Sequence, residues 1–320
     1  MGKRVVIATH GHCFDGLASA AMFVRLHGHL APGADYHFLA MGYGPGQRGV
    51  DPALLDGDEN VILDYRFSPS PRLTWYFDHH VTAFADDVDR RAFAEGAAAG
   101  RMFFDGAYGS CTKLVADVSR ERFGLDDAPV AELVAWADKI DAARFATAAE
   151  ATSREEPVMR LRAVAQIFGD ADLLRRFVPR LLDEPLDAVA TSDFVERAFA
   201  PIAAKEDDFR AAAEAAGRLA GGVVTVDLAD REWEVAPTFV TYALFPAARY
   251  SVLLTRSRAQ CKLSIGYNPW CGAARGHDIA AICARYGGGG HPVVGGVSRR
   301  IDQLPEARRI AAAIAEELAA

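Results

Sequence analysis

Three short apolar runs in the first eighty residues each lead to side chains able to bind a metal ion. Arg4 to Thr9 runs into His10, with Cys13 and Asp15 close behind. Val61 to Tyr65 carries Asp64 near its end, and Leu73 to Phe77 leads directly into Asp78-His79-His80. Imidazole and carboxylate together suit Mn²⁺ or a related transition metal better than Ca²⁺, which prefers oxygen cages. Several carboxylates with one or two imidazoles can hold two cations roughly 3.5–4 Å apart. Such a pair lowers the pKa of a bound water and clamps the attacking and leaving oxygens of a phosphoryl transfer. Taken singly, His10 reads as a loop histidine, Asp64 as a turn or cap residue, and His79 with His80 as a surface pair. Their conjunction at three strand ends favours a metal site.

The positioning elements follow from periodicity. Arg4 to Thr9, Tyr36 to Ala40, Val61 to Tyr65 and Leu73 to Phe77 read as strands. Leu17 to Leu30, Cys111 to Phe123 and Val130 to Ala137 read as helices. This alternation predicts an α/β domain, a mostly parallel sheet flanked by helices, whose ligands gather beyond the carboxyl ends of the strands. Gly42 to Gly49 is a glycine-rich loop. From Glu155 to Leu219 the pattern is almost wholly helical, with Pro185 and Pro201 where helices can begin or break. Strand signals resume at Gly222 to Asp227, Tyr250 to Thr255 and Lys262 to Tyr267. A helix from Asp278 to Tyr286, a glycine run and an Ala-rich helix complete a smaller α+β domain. The expected division is a catalytic domain over 1–190, a helical connector over 191–219 and a substrate-binding domain over 220–320.

A chain of 320 residues, 51% hydrophobic and 24% charged, suits two globular domains. It contains no apolar run long enough for a membrane span, and its first residues make no secretory signal. Five cysteines without a CxxC pair argue against a disulfide framework or structural zinc, so the cytoplasm is the expected compartment. The net charge of −8 is uneven: residues 221–320 hold 11 Lys and Arg against 9 Asp and Glu, the rest 24 against 34. An acidic half repels bare phosphate unless cations are bound there, and a chain gripping long nucleic acid is usually more basic.

The motifs resemble, in order, those of the DHH phosphoesterase superfamily in its two-domain form. Asp78-His79-His80 follows a strand, with Asp64 fourteen residues upstream. His10-Gly-His-Cys-Phe-Asp15-Gly16 is similar to the H-x-x-C-x-D-G form of the first motif. Asp141-Ala-Ala-Arg-Phe145 resembles the fourth, and Tyr286-Gly-Gly-Gly-Gly-His291 resembles the G-G-G-H signature of the associated C-terminal domain. Arg256-Ser257 resembles an Arg-Ser pair upstream of that signature. The resemblance spans nearly the whole chain. It implies that Asp15, Asp64, His79 and Asp141 hold one cation, and that Asp64 bridges to a second held by His10. Mn²⁺ is the implied metal, with Mg²⁺, Co²⁺ or Zn²⁺ as alternatives. The spacing departs from the commoner H-x-x-x-D-x-D form at Cys13, which could bind a soft metal or simply be buried, and this leaves the second cation open. Asp138 competes with Asp141; the motif's spacing favours Asp141.

His80 is expected beside the scissile phosphate as charge stabiliser or proton donor, or as support for His79, with Asp78 part of the catalytic group. Ser110, before a helix, could meet phosphate or cap the helix. Arg256, Gly289, Gly290 and His291 are the expected substrate-binding residues of the second half. The implied reaction is hydrolysis, by a metal-activated water, of phosphate esters in short oligonucleotides, linear dinucleotides or related small nucleotide phosphates. A RecJ-type single-strand exonuclease, an exopolyphosphatase and a non-catalytic nucleotide sensor are the alternatives. No protein partner or membrane association is indicated, and a homodimer is compatible with the chain.

Overall fold

The structure is a computed structural model describing residues 2–42, 49–234, 236–237, 239–258 and 260–320. Most of the glycine-rich stretch Gly42 to Gly49, residues 43–48, lies outside the described residues. Two compact units divide the chain, one of residues 1–144 and 154–199, the other of residues 145–153 and 200–320.

The first unit begins with β1 (Arg4–His10), α1 (Phe14–Leu30), β2 (Asp35–Met41), β3 (Glu59–Leu63) and β4 (Trp75–Asp78). It continues through α2 (Asp87–Ala97), β5 (Met102–Phe104), α3 (Cys111–Phe123) and α4 (Ala131–Asp141). The short α5 (Ala148–Ala151) belongs to the second unit, and α6 (Pro157–Phe168), α7 (Ala171–Asp183), α8 (Leu186–Ala190) and the start of α9 (Asp193–Ala216) to the first. The five strands form a wholly parallel sheet in the order β2-β1-β3-β4-β5. Val5 to Ala8 are at most 1% exposed, so β1 is covered on both faces, which is why it reads as an unbroken apolar run. Pro201 lies inside α9 rather than at a helix boundary, and the local break expected there is absent: the helix simply forgoes one backbone donor.

The second unit continues with β6 (Arg218–Ala220), β7 (Val223–Asp227), α10 (Val240–Leu244), β8 (Tyr250–Arg256) and β9 (Gln260–Tyr267). It ends with α11 (Ile279–Arg285), β10 (Gly289–His291), β11 (Val294–Arg300) and α12 (Leu304–Ala319). Its sheet runs β10-β11-β9-β8-β7-β6, antiparallel except between β7 and β8. Its core joins Val252, Leu254, Leu263 and Ile265 of the sheet to Ile282 of α11 and Ile310 and Ile314 of α12. The overall class, a parallel α/β unit followed by a mixed α+β unit, is the one the periodicity predicts. Among the described residues no helix is long and apolar enough to cross a membrane.

Candidate metal centre

Sheet register brings the three strand ends together. Thr9 pairs with Leu63 and Leu63 with Phe77, so His10, Asp64 and Asp78 follow in a row on strands roughly 4.8 Å apart. This is the carboxyl edge of a parallel sheet, at the β1–β3 junction where strand order reverses and open α/β sheets bind ligands. The third strand ends at Leu63 rather than Tyr65, because Asp64 adopts a left-handed backbone with φ of 53°. Such a conformation at a non-glycine residue costs on the order of 1 kcal/mol and is typical of functional sites.

Asp15 arrives by the close approach of a helix. α1 starts at Phe14, three residues earlier than its apolar pattern suggests, which places Asp15 in its first turn. A Cβ on Gly16 would lie 1.9 Å from the His10 carbonyl oxygen, so only glycine lets the helix begin this near the end of β1. The Thr9 hydroxyl donates to the Gly16 carbonyl at 2.7 Å and fixes the join. Asp15 then accepts the backbone N–H groups of Cys111 (2.7 Å) and Thr112 (3.0 Å) at the start of α3. A helix N-terminus that could have met phosphate thus meets a carboxylate of the chain itself, for the same electrostatic reason.

His79 lies at the centre. Its Nε2 is 3.3 Å from Asp141 Oδ2, 3.5 Å from Asp64 Oδ1 and 3.8 Å from Asp15 Oδ2. Its Nδ1 is 3.1 Å from the Tyr108 carbonyl oxygen; with Nδ1–H donating there, Nε2 is the ring atom that faces the carboxylates and would bind a cation on giving up its proton. His10 Nδ1 lies 3.6 Å from the other Asp64 oxygen. Both Asp64 oxygens and His79 Nε2 are buried without a hydrogen-bond partner. A buried orphan of this kind costs about 1–3 kcal/mol, and three of them facing one another describe a site completed by something the chain does not supply.

Electrostatics give the sign of the group these donors fit. Burial, then repulsion from Asp64 and Asp141, pushes the Asp15 carboxyl well above its ordinary range. Burial and Asp64 likewise raise Asp141 to about 6. Burial alone would lower His79, but Asp64, Asp15 and Asp141 overcome it and raise His79 to about 10. Asp64, drawn down by its imidazole neighbours against the effect of burial, stays ionised. Carboxylates crowded in this way repel one another and favour a positive partner, so the donor set suits a cation. The donors fit a divalent ion in three overlapping sets, each with its atoms within 4.8 Å of one another: Asp15, His79 and Asp141; His10, Cys13 and Asp64; and Asp64, Asp78, His79 and His80.

Asp78 and His80 have a different geometry from the ligands. Asp78, fully buried, accepts the His79 and His80 amides (2.8 and 3.2 Å) and faces His80 Nδ1 at 2.7 Å through Oδ1. The Tyr76 hydroxyl donates to its Oδ2 at 3.0 Å. His80 is thereby oriented with Nε2 as the ring atom able to meet a substrate. Asp138 pairs with Arg144 and belongs to none of the three donor sets, whereas Asp141, one helical turn on, belongs to one. Ser110 is buried, its hydroxyl accepting the Lys113 N–H at 3.1 Å as the cap of α3.

No family model matches the chain, and no curated protein matches it in sequence. Solved structures match its fold over nearly the full length. A pGpG-specific phosphodiesterase, PggH, from Vibrio cholerae is 18% identical, with a TM-score of 0.67 and 98% of each chain covered. An exonuclease RecJ bound to manganese is 17% identical at a TM-score of 0.57, covering 98% of this chain and 90% of that one. The DHH domain of a protein from a family of ribosomal proteins is 12% identical at a TM-score of 0.54, covering 100% and 88%. The chain thus shares the fold of these solved proteins, DHH-domain structures among them.

The second unit separates residues that their order along the chain would group. His291 pairs with Val294, Val294 with Gly266 and Gly266 with Ser251, whereas Arg256 pairs with Cys261 and Cys261 with Arg299. Five residue steps along β8, from Ser251 to Arg256, therefore separate the level of His291 from that of Arg256, roughly 17 Å along the strand. Gly290 stands level with Val252 and Gly289 with Leu253, four and three residues from Arg256, so His291 is the member of the set farthest from Arg256 along the sheet. On β9, Ser264, Ile265 and Gly266 stand level with Gly289, Gly290 and His291. Gly289, Gly290 and His291 are exposed on β10. A Cβ on Gly290 would come within 2.3 Å of the Val294 carbonyl oxygen, so that glycine also serves the β10–β11 pairing itself.

Proposed function

We propose that the chain is a divalent-metal-dependent phosphodiesterase that hydrolyses short oligonucleotides, linear dinucleotides or related small nucleotide phosphates, with Mn²⁺ as its metal. The convergence of His10, Asp15, Asp64, His79 and Asp141 from five separate segments, around an Asp64 whose buried oxygens have no partner, carries this assignment. The fold relatives support it: one is a phosphodiesterase specific for pGpG and another binds manganese. A divalent ion pair there supplies an activated water and charge neutralisation at phosphorus.

The chain's own groups do the rest. His79, its Nδ1–H given to the Tyr108 carbonyl, offers Nε2, and Asp15, Asp64 and Asp141 offer oxygens on the same side. Asp64 turns one oxygen to His79 and the other to His10, and would serve as the ligand shared between two ions. His80, oriented by Asp78, holds a proton at Nδ1 and aims Nε2 at the leaving or non-bridging oxygen. In the second unit, His291 and its flanking glycines are the residues we assign to phosphate binding. The test is product formation from pApA, pGpG, adenosine bisphosphate and polyphosphate with Mn²⁺, Mg²⁺, Co²⁺ and Zn²⁺, for the wild type and Asp64→Ala. Metal-dependent release of mononucleotide from a dinucleotide, lost in the variant, is expected. Binding of nucleotide without turnover under every metal refutes it.

A further inference from the structure

Cys13 is the one donor at the site whose chemistry differs from that of its neighbours. It caps α1 in an extended conformation, with φ −135° and ψ 140°, but its side chain makes no capping hydrogen bond. The thiol is half-buried and unpaired with any other cysteine. Its sulfur lies within 4.8 Å of a His10 ring nitrogen and of an Asp64 oxygen, which are equally close to each other. Three atoms no further apart than this have a common centre at most about 2.8 Å away. Modest side-chain movement brings that to the roughly 2.0–2.3 Å of nitrogen, oxygen and sulfur bonds to a zinc-sized ion. An independent observation points the same way: Asp64 is 1% exposed and neither of its carboxylate oxygens has a hydrogen-bond partner. One of them faces His10 and so cannot be explained by the His79 side of the centre alone.

We infer that Cys13 is a thiolate ligand, which with His10 and Asp64 makes one of the two cation positions selective for thiophilic metals while the His79 position keeps its preference for harder ions. This rests on the two-cation reading above. The carboxylate set of Asp15, Asp141 and Asp64 around one imidazole suits Mn²⁺ or Mg²⁺, whereas sulfur with one imidazole and one carboxylate suits Zn²⁺ or Co²⁺. On binding, the thiol proton passes to solvent as the sulfur–metal bond forms, and no electrons are transferred. The two positions would then fill with different metals from a mixed pool.

Cobalt reports the ligand directly. The full-length protein is titrated anaerobically with Co²⁺ alone, as wild type, Cys13→Ser and Cys13→Asp. A sulfur-to-cobalt charge-transfer band in the near ultraviolet is expected for the wild type and absent from both variants. The visible ligand-field bands of cobalt at the His79 position should persist in all three. In competition, Zn²⁺ affinity at the second position should fall at least about tenfold in Cys13→Ser, and Cys13→Asp should regain binding with a preference moved toward Mn²⁺. Ligand-field bands without a charge-transfer band in the wild type, or a band that survives Cys13→Ser, overturn the assignment and leave the proposed function standing. No cobalt absorption of any kind overturns both.

Discussion

Asp78 is within reach of two roles, and one substitution separates them. Its carboxylate belongs to a set of potential ligand atoms with Asp64, His79 and His80, yet both its oxygens are engaged by the chain. In Asp78→Asn the side chain keeps its shape. The amide oxygen can still accept the His79 and His80 N–H groups and the imidazole N–H, while the amide nitrogen faces Tyr76. What disappears is the charge on the 2.7 Å contact with His80. A hydrogen bond to a charged group contributes about 1.5–3 kcal/mol against about 1 for a neutral one. The difference, about 0.5–2 kcal/mol, corresponds to a roughly 2–30-fold loss if it is felt fully in the transition state. Turnover of a linear dinucleotide should therefore fall by that factor, with KM and Mn²⁺ affinity changed less than about threefold. Tyr76→Phe, which removes one neutral donor from the same carboxylate, should lower turnover less. The measurements are steady-state kinetics at saturating Mn²⁺ and calorimetric titration of Mn²⁺ into each variant. If Asp78 is instead a ligand, Mn²⁺ affinity should drop by an order of magnitude or more, and excess metal should restore turnover. That pattern, or unchanged turnover, refutes the positioning role.

Mn²⁺ at a hundredfold excess over its Kd should stabilise the wild type by about 2.7 kcal/mol, a rise in Tm of roughly 5–10 °C for units of this size. Asp64→Ala should fold but lose that rise together with turnover, and an undiminished Mn²⁺ shift in the variant would contradict a bridging ligand. Ser110→Ala removes the α3 cap, so about 1 kcal/mol of stability should go while kcat and KM stay within twofold; a large rise in KM would restore Ser110 to the substrate. At the opposite end of the first sheet, burial lowers the pKa of His27, which lies 3.6 Å from Glu59. The unfolded chain therefore binds that proton before the folded one does, and stability should fall as pH drops below about 6.5. Burial would raise Glu59, but Lys3 and Trp75 hold it lower, so its contribution is also lost in acid, at lower pH. With metal chelated, the difference in Tm between wild type and His27→Gln should narrow between pH 7.5 and 5.5. A constant difference means His27 does not titrate in that window.

The fold of the first unit was legible because its strands are buried on both faces and read as unbroken apolar runs, Val5 to Ala8 most plainly. Several elements escaped notice, α2, α10, β10 and β11 among them, and two more were too short to read. β5 is only three residues and half-buried, and β6 is an exposed edge strand; neither is long enough to show a period. The boundaries that mattered were set by contacts rather than propensity. α1 gains its first turn because Gly16 packs on β1, and β3 loses its last residues to the left-handed Asp64. The same logic governs the site. Residues that follow strands directly, His10, Asp64, Asp78 and His79, could be read from the one-dimensional pattern, because a parallel sheet brings its carboxyl ends to one edge. The groups that hold them could not. The Tyr108 carbonyl behind His79, the Cys111 and Thr112 amides behind Asp15 and the Tyr76 hydroxyl behind Asp78 include backbone atoms, which have no residue type to betray them. Ser110-Cys111-Thr112 before a helix did signal an anion-binding N-terminus, but only coordinates show that the anion is Asp15.

In the second unit, order along the chain and proximity part company for a reason that sheet geometry makes plain. Arg256 ends β8 and Tyr267 ends β9, and antiparallel neighbours end at opposite edges of a sheet. A motif lying before a hairpin is carried to one edge and its continuation to the other. β9 returns the chain to the level of the glycine run, since Gly266 pairs with Val294 and Val294 with His291. Residues near position 267, and the segment leading from there to α11, therefore stand closer to His291 than anything at Arg256 can. Tyr250, at the start of β8, is level with them: its hydroxyl accepts the Gly276 and His277 N–H groups at 2.7 and 3.2 Å. A phosphate held by Gly289 to His291 would meet this segment, so selectivity for the distal end of a substrate should respond to changes at Tyr267 or His277 and stay indifferent to Arg256→Ala. A substrate profile altered by Arg256→Ala but not by changes at His277 would require a different anion site, about 17 Å away along β8.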